Sequence, residues 1–192
     1  MSEAYSPARS PALAAELIRS RRTIHTFAPE TPPLEVIQRA VEVARWAPNH
    51  RLTEPWRFYL LGRESVERVC RLNAEIVSRV SGYAAGESKY RRWRVIPGWL
   101  AVTCAVTDHP IRHREDYAAC CCAMQNLMLY LWSAGIGSKW TTGAVTRDPA
   151  FFPILGADPG KECVVGLLWY GYPAESGSGQ RKPVAQVLTE LP

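Results

Sequence analysis

The chain has 192 residues, 47% of them hydrophobic and seven of them Trp, which is the size of one domain with a sizeable core and too apolar for a disordered chain. Its formal net charge of +5 rests on 19 Arg against 4 Lys. That balance suits anionic ligands, but the cations are scattered along the chain, whereas a nucleic-acid binder gathers them into a basic stripe on a recognisable module.

Residues 1–11 are polar and rich in Ala, Ser and Pro, and read as a flexible N-terminus with no secretory signal. Ala12 to Ser20 is predicted to form a helix that runs into Arg21-Arg22. At Thr31-Pro32-Pro33 a second helix is expected to begin, with Thr31 as its cap and Pro32 in its first turn. Leu34, Ile37, Val41 and Ala44 recur at helical spacing, and Pro48 is expected to end the helix. Trp56 to Leu61 reads as a short strand closed by Gly62. The pattern Val66, Val69, Leu72, Ile76, Val80 predicts a helix over Glu64 to Ser81.

Gly82 to Gly98 shows no clean period and is expected to include a mobile segment. Within it, Lys89-Tyr90-Arg91-Arg92-Trp93-Arg94 reads as a solvated helix end or loop. Leu100 to Val106 reads as a buried strand, followed by a turn at Asp108-His109-Pro110. Ala118 to Ile136 is apolar except for Gln125, Asn126 and Ser133, and is long enough to span a bilayer. Two adjacent amides near its middle would leave hydrogen bonds unmet in hydrocarbon. It therefore reads as a helix buried on several sides, as at a subunit interface, and ended by Ala134-Gly135-Ile136-Gly137. Cys163 to Tyr172 reads as a central strand. Ser176-Gly177-Ser178-Gly179 forms a hinge, and Val184 to Leu191 a tail. No internal repeat or linker appears, so residues 1–192 read as one domain.

The six cysteines are Cys70, Cys104, Cys120, Cys121, Cys122 and Cys163. Three in succession on one helix point about 100° apart and cannot jointly grip one metal. They read as small core residues in a reducing, cytoplasmic compartment, with no metal site expected.

Four short segments carry the chemistry: Arg21-Arg22-Thr23, then Ala47-Pro48-Asn49-His50 with Glu54-Pro55-Trp56, then Trp140-Thr141-Thr142-Gly143, and last Arg181-Lys182-Pro183. Two hold clustered positive charge and two are polar turns. Gathered together they would suit a flat, polar, phosphorylated cofactor, because phosphate recruits Arg, Lys and hydroxyl donors. Each also has a plainer reading. Two Arg at a helix C-terminus favour its dipole, a lone His is usually structural, Trp56 begins a strand and belongs to the core, and a Thr-Thr-Gly turn is common. No Gly-x-Gly-x-x-Gly fingerprint follows a strand, which argues against a Rossmann dinucleotide site.

In this order and at these spacings the four segments resemble the nitroreductase family of FMN enzymes, and its short single-domain members most closely, from about Leu17 to Leu188. The resemblance implies an α+β fold with a central mixed or antiparallel sheet and helices on both sides. It also implies an intertwined homodimer with FMN at the interface, residues 176–192 crossing to extend the partner's sheet. Arg21, Arg22 and Thr23 match the family's Arg-Arg-Ser element. One Arg would face the flavin N1/O2 edge or ribityl chain, and the rest would reach the phosphate with Arg181 and Lys182. Pro48, Asn49, His50 and Glu54 match a loop that contacts ribityl oxygens and the flavin pyrimidine, although Glu54 stands where the family usually has an amide. Trp140, Thr141, Thr142 and Gly143 would lie behind the central ring, with Thr142 and Gly143 beside N5.

The function so implied is transfer of hydride from NAD(P)H through flavin N5 to a nitroaromatic, quinone or other conjugated acceptor, by a ping-pong route with no obligatory side-chain catalyst. Arg112, His113 and Arg114 would be placed to grip a substrate only by their position before the long helix. The alternatives are a relative's reaction on the same fold (dehalogenation, dehydrogenation or flavin breakdown) or a non-catalytic flavin-binding protein. No nucleic-acid or membrane partner is expected.

Overall fold

Backbone hydrogen bonds tie four strands into an antiparallel sheet: β1 (Trp56–Leu60), β2 (Gly98–Ala105), β3 (Gly137–Thr141) and β4 (Glu162–Gly171), in the spatial order β1-β2-β4-β3. The structure is a computed structural model that describes residues 10–192, so most of the expected flexible N-terminus lies outside the described residues. Between the mixed and antiparallel alternatives the sheet is antiparallel. The parallel element is an isolated bridge from Thr23 to Ser138 on β3.

Side chains alternate across a strand, and both faces of this sheet are covered. Leu100, Val102 and Cys104 of β2 face one core with α2 (Leu34–Ala44) and α5 (Pro110–Ser133). Trp99 and Ala101 face a second core with α3 (Arg63–Ser81), Val145 and Phe151. The β2–β4 register slips by one residue between Val102 and Thr103. The slip sets Cys163 opposite Cys104, on the α5 face. Such a bulge re-aims every side chain beyond it.

Helix α1 (Pro11–Ser20) starts as its sequence suggests, with the Ser10 hydroxyl accepting the Leu13 N–H at 3.3 Å, yet none of its residues is buried. Helix α2 corrects the expected cap. Thr31 and Pro32 each precede a proline, which biases them toward extended backbone. The helix therefore begins at Leu34 behind Pro33, without a side-chain cap. It also ends at Ala44, before Pro48, as the chain turns to bury Ala47.

The segment expected to be mobile instead contains α4 (Tyr83–Trp93). Gly82 turns the chain back at φ +85°, a backbone region that side chains with a Cβ rarely adopt, and Gly86 lets the new helix lie against Ala74 and Ser78 of α3. A glycine thus occupies the place of a core hydrophobe, and this hid the period. Helix α5 begins at Pro110, eight residues before the apolar run, with the His109 Nδ1 accepting the Arg112 N–H at 3.3 Å. It ends at Ser133, and Trp140 and Thr141 belong to strand β3 rather than to a turn. No helix among the described residues is long and apolar enough to cross a membrane. All six cysteines are free thiols, and Cys120, Cys121 and Cys122 pass from buried to half-buried to exposed as successive helical positions must.

Ala123, Met124, Leu127 and Leu131 of α5 are fully buried against the sheet. Leu127→Ala should cost about 2–5 kcal/mol, the range for a Leu truncated in a close-packed core. Urea denaturation checks this through a lowered midpoint at unchanged slope.

Candidate functional site

Beyond α1 the chain builds a basic cavity of about 490 Å³. Arg21, Arg22 and Thr23 line it from the helix end, Gln125 from α5, and Ser178 and Arg181 from the C-terminal segment. The C-terminal segment crosses directly over Arg22 at Gly177, where a Cβ would overlap the arginine's own. The Arg22 guanidinium donates to the carbonyls of Arg19 and Arg21, the latter at 2.9 Å. These are helix C-terminal carbonyls, the natural partners of a cation. Burial, then Arg181 and Arg22, push the Arg21 guanidinium pKa below its usual value. Among the described residues no carboxylate pairs with any of the three. The cavity is therefore an uncompensated cluster of cations, which an anion would neutralise. A larger cavity of about 930 Å³ between α3 and α4 differs in this respect, because its Arg71 is paired with Glu67 at 2.6 Å.

A second cavity, of about 320 Å³, opens two residues further along the same extended segment. Ile24 is buried and donates its N–H to the Ser138 carbonyl at 3.1 Å, while Thr23 faces the first cavity and His25 the second. Glu175 fixes this segment by accepting the N–H groups of His25 and Thr26 at 2.7 and 3.0 Å. Those bonds hold its carboxyl pKa below the usual range. Its contribution to stability is therefore present above the ordinary Glu pKa and is lost as pH falls through the lowered one, so the clamp is intact at neutral pH.

Opposite His25, Lys139 places its ammonium 3.2 Å from His25 Nδ1 and 5.0 Å from the Trp169 ring centre. Burial, then Lys89 and Arg92, lower its pKa. Two buried donors on residues that line this cavity, Asn73 Nδ2 and Trp169 Nε1, have no hydrogen-bond partner. A buried donor left unsatisfied costs about 1–3 kcal/mol, a local cost borne by the cavity wall, because neither nitrogen is exposed to the cavity itself.

Alternation along β3 sends Lys139, Thr141 and Gly143 into this second cavity. Trp140 points the other way, packs on the α5 core and donates to the Val165 carbonyl at 3.3 Å. It is a core residue and not a lining one. Thr142 is exposed and its carbonyl accepts from Arg147 at 3.0 Å. Of the basic triplet, Arg181 lines the first cavity, whereas Lys182 and Pro183 are exposed and do not.

The loop of Pro48, Asn49 and His50 stands elsewhere. It precedes β1, while both cavities lie beside β3 at the opposite sheet edge. Two strands lie between them, roughly 14 Å of sheet at about 4.8 Å per step. The loop is tightly organised all the same. Asn49 Oδ1 accepts the Glu54 N–H at 2.7 Å, and the Thr53 hydroxyl donates to Asp116 of α5 at 2.5 Å. Arg51, Leu52 and Glu54 all hold positive φ, an unusual concentration for residues with side chains. Arg51 donates to His50 Nε2 at 3.3 Å, and Leu52 and nearby Trp46 are 80% and 78% exposed. Glu54 pairs with neither Arg51 nor Arg57; Arg57 instead lies 3.7 Å from Glu162.

The first and fourth segments thus meet at one cavity through Arg21, Arg22, Thr23 and Arg181, Thr141 and Gly143 of the third line the other, and the second joins neither. His25, Lys139 and Asn73 were not singled out from the sequence. His25 and Lys139 were legible in principle, each by strand alternation from a motif residue. Asn73 is read as one polar position within an apolar helix pattern.

Comparisons with known proteins converge on one family. A family model described as the nitroreductase family matches residues 18–172. YfhC of Bacillus subtilis (strain 168), described as a candidate NAD(P)H nitroreductase, is 32% identical over 181 residues, covering 92% of this chain and 93% of that protein. The solved structure of a nitroreductase-like protein from Bacillus cereus superposes with a TM-score of 0.82 at 28% identity, over 98% of this chain and 99% of that one. A candidate nitroreductase from Desulfovibrio desulfuricans, solved with FMN, superposes with a TM-score of 0.74 at 24% identity, over 96% and 99%.

Because Arg181 adds to the like-charge field on Arg21, Arg181→Ala should raise the Tm of the ligand-free protein while weakening its affinity for inorganic pyrophosphate. Thermal scans with and without pyrophosphate check both directions. A fall in Tm with unchanged pyrophosphate affinity would mean that Arg181 is only a packing residue.

Proposed function

The chain belongs to the nitroreductase family, and from that premise we propose that it is an FMN-dependent oxidoreductase that takes electrons from NAD(P)H and passes them to a nitroaromatic, quinone or other conjugated acceptor. The observation that carries this reading is the basic cavity at Arg21 to Thr23, with a second cavity two residues further along the same segment at His25. The first is lined by Arg19, Arg21, Arg22 and Arg181, none of them paired with a carboxylate among the described residues, and the second by Lys139, Lys89 and Arg92. A phosphorylated planar cofactor with a polar edge matches both cavities, and this is the shape and charge of FMN.

Arg21, Arg22, Thr23 and Arg181 would hold the phosphate through charge-assisted bonds, each worth about 1.5–3 kcal/mol. Lys139 would meet an acceptor of the ring's pyrimidine edge, with His25 oriented by Lys139. FMN supplies two-electron storage between donor and acceptor, and the protein tunes it by the charge it places nearby. The cations of Lys139, Lys89 and Arg92 favour the more negative, reduced state of such a group. The Thr141 to Gly143 turn would support the ring from behind.

A second copy of the chain supplies what one copy lacks. Helix α1 buries none of its own residues, and Leu13 is 67% exposed. Val184, Val187, Leu188 and Leu191 of the tail are exposed at helical spacing. Apolar surface of this extent marks an association site. Its burial in a homodimer would carry the Asn49 and His50 loop of one copy to the β3-edge cavities of the other.

The protein should purify as a yellow dimer with about one FMN per chain. Double-reciprocal plots at several fixed acceptor concentrations should be parallel, because donor and acceptor take turns at one cavity mouth. A colourless monomer that ignores added FMN would end the proposal, and intersecting lines would contradict a shared mouth.

A further inference from the structure

Away from both cavities, the far end of the α5 core holds a cluster that the oxidoreductase reading does not use. Cys104 on β2, Cys163 on β4 and His113 on α5 each present one ligand atom, and all three atoms lie within 4.8 Å of one another. Cys163 Sγ is 3.9 Å from His113 Nε2. Cys104 and Cys163 are direct cross-strand partners because of the bulge at Val102/Thr103. Without that slip Cys163 would sit opposite Ala105, and the two sulfurs would not share a face. The ring nitrogen turned toward the two sulfurs is Nε2, and Nδ1 on its far side is buried and has no hydrogen-bond partner among the described residues.

We propose that Cys104, His113 and Cys163 form a binding site for one zinc ion per chain. Zinc bonds to thiolate at about 2.3 Å and to imidazole at about 2.0–2.1 Å in a tetrahedron. The ligand atoms of such a site stand about 3.5–3.8 Å apart, as those bond lengths and the tetrahedral angle require. The cluster needs only a small contraction to reach this spacing. Two thiolates and an imidazole select a borderline or soft cation over magnesium or calcium, which take oxygen ligands.

On binding, each thiol gives its proton to solvent and the neutral imidazole donates a lone pair, so affinity rises with pH. Three protein ligands leave the fourth position to water. Cys163 and His113 are half-buried, which leaves an approach for the ion. Sequence spacing concealed the site, because its ligands come from three separate elements and none belongs to the Cys120–Cys122 run.

The bound ion would tie the ends of β2 and β4 to the first turns of α5. The Asn49 loop is anchored at the same place, through Asp116 to Thr53 and through the Ala105 N–H to the Pro55 carbonyl at 2.8 Å. A metal there would stiffen the base of that loop without touching either cavity.

The test uses the whole protein with its cofactor content as purified. After chelator treatment and gel filtration it is titrated with Zn²⁺ against a metallochromic indicator, and reactive thiols are counted before and after. One zinc per chain and protection of the half-buried Cys163 thiol are expected. Co²⁺ in its place should give the visible ligand-field bands of a tetrahedral site, at longer wavelength than flavin absorption. His113→Ala and Cys163→Ser should each weaken zinc by more than about 100-fold, beyond the effect of losing an outer-shell partner. Cys122→Ser, exposed on the same helix, should bind as wild type does. The wild-type stoichiometry and thiol protection stand apart from the folding of any variant. They are also independent of FMN or turnover, so the zinc site can fail while the oxidoreductase reading stands. Absence of stoichiometric zinc, equal binding by His113→Ala, or a Cys104–Cys163 disulfide with no metal affinity would overturn the proposal.

Discussion

Because β2 and β4 lie between β1 and β3, the loop ahead of β1 is held a sheet's width from the cavities beside β3. Antiparallel pairing along all four strands makes that separation rigid, and packing on both faces leaves no hinge through which a single chain could close it. Each edge nevertheless carries a distinctive set of groups. The β3 edge holds cations and unsatisfied donors, and the β1 edge holds a strained, hydrogen-bonded loop with exposed apolar tips. A fold that builds two half-sites on opposite edges favours assembly in pairs with isologous contacts, where each copy offers one half to the other.

The β3 edge also shows how local instability can be retained for binding. Arg21, Arg22 and Arg181 repel one another, and among the described residues none of them pairs with a carboxylate and the buried donors of Asn73 and Trp169 have no partner. None of this helps the ligand-free chain fold. The large cores absorb it, since Trp99, Phe151, Leu100 and Met124 are among the side chains buried almost completely. Such stability–function conflict is expected where a site must be arranged before its ligand arrives.

The parts of this arrangement that follow from short-range pattern were legible in the sequence. Helical spacing gave α2 and α3, an apolar run gave β2 and β4, and clustered Arg with a Thr gave the basic cavity. What escaped depended on context. Helix α4 was hidden because Gly86 stands where its stripe needed a hydrophobe, and the start of α5 because its first two turns are polar. Within β3, strand alternation turns Trp140 to the α5 side, away from Lys139 and Thr141, while Lys182 follows Arg181 in an exposed segment that belongs to no strand. His25 and Lys139 lay one or two positions from motif residues, and only the Thr23–Ser138 bridge brings them together. No periodicity encodes the bulge that aligns Cys163 with Cys104.

The central claim is that each cofactor site joins the β3 edge of one copy to the β1-edge loop of another, and mixed dimers test it most directly. One differently tagged chain carries Arg21→Ala, and the other carries Asn49→Ala with His50→Ala. Each parent homodimer has two damaged sites. In the mixed dimer a shared site gives one position with every lesion and one with none. The account predicts one FMN bound per mixed dimer with wild-type affinity, measured by titration of the cofactor-free protein. If both sites of the mixed dimer bind as weakly as their parents do, each chain builds its site alone and the account is wrong.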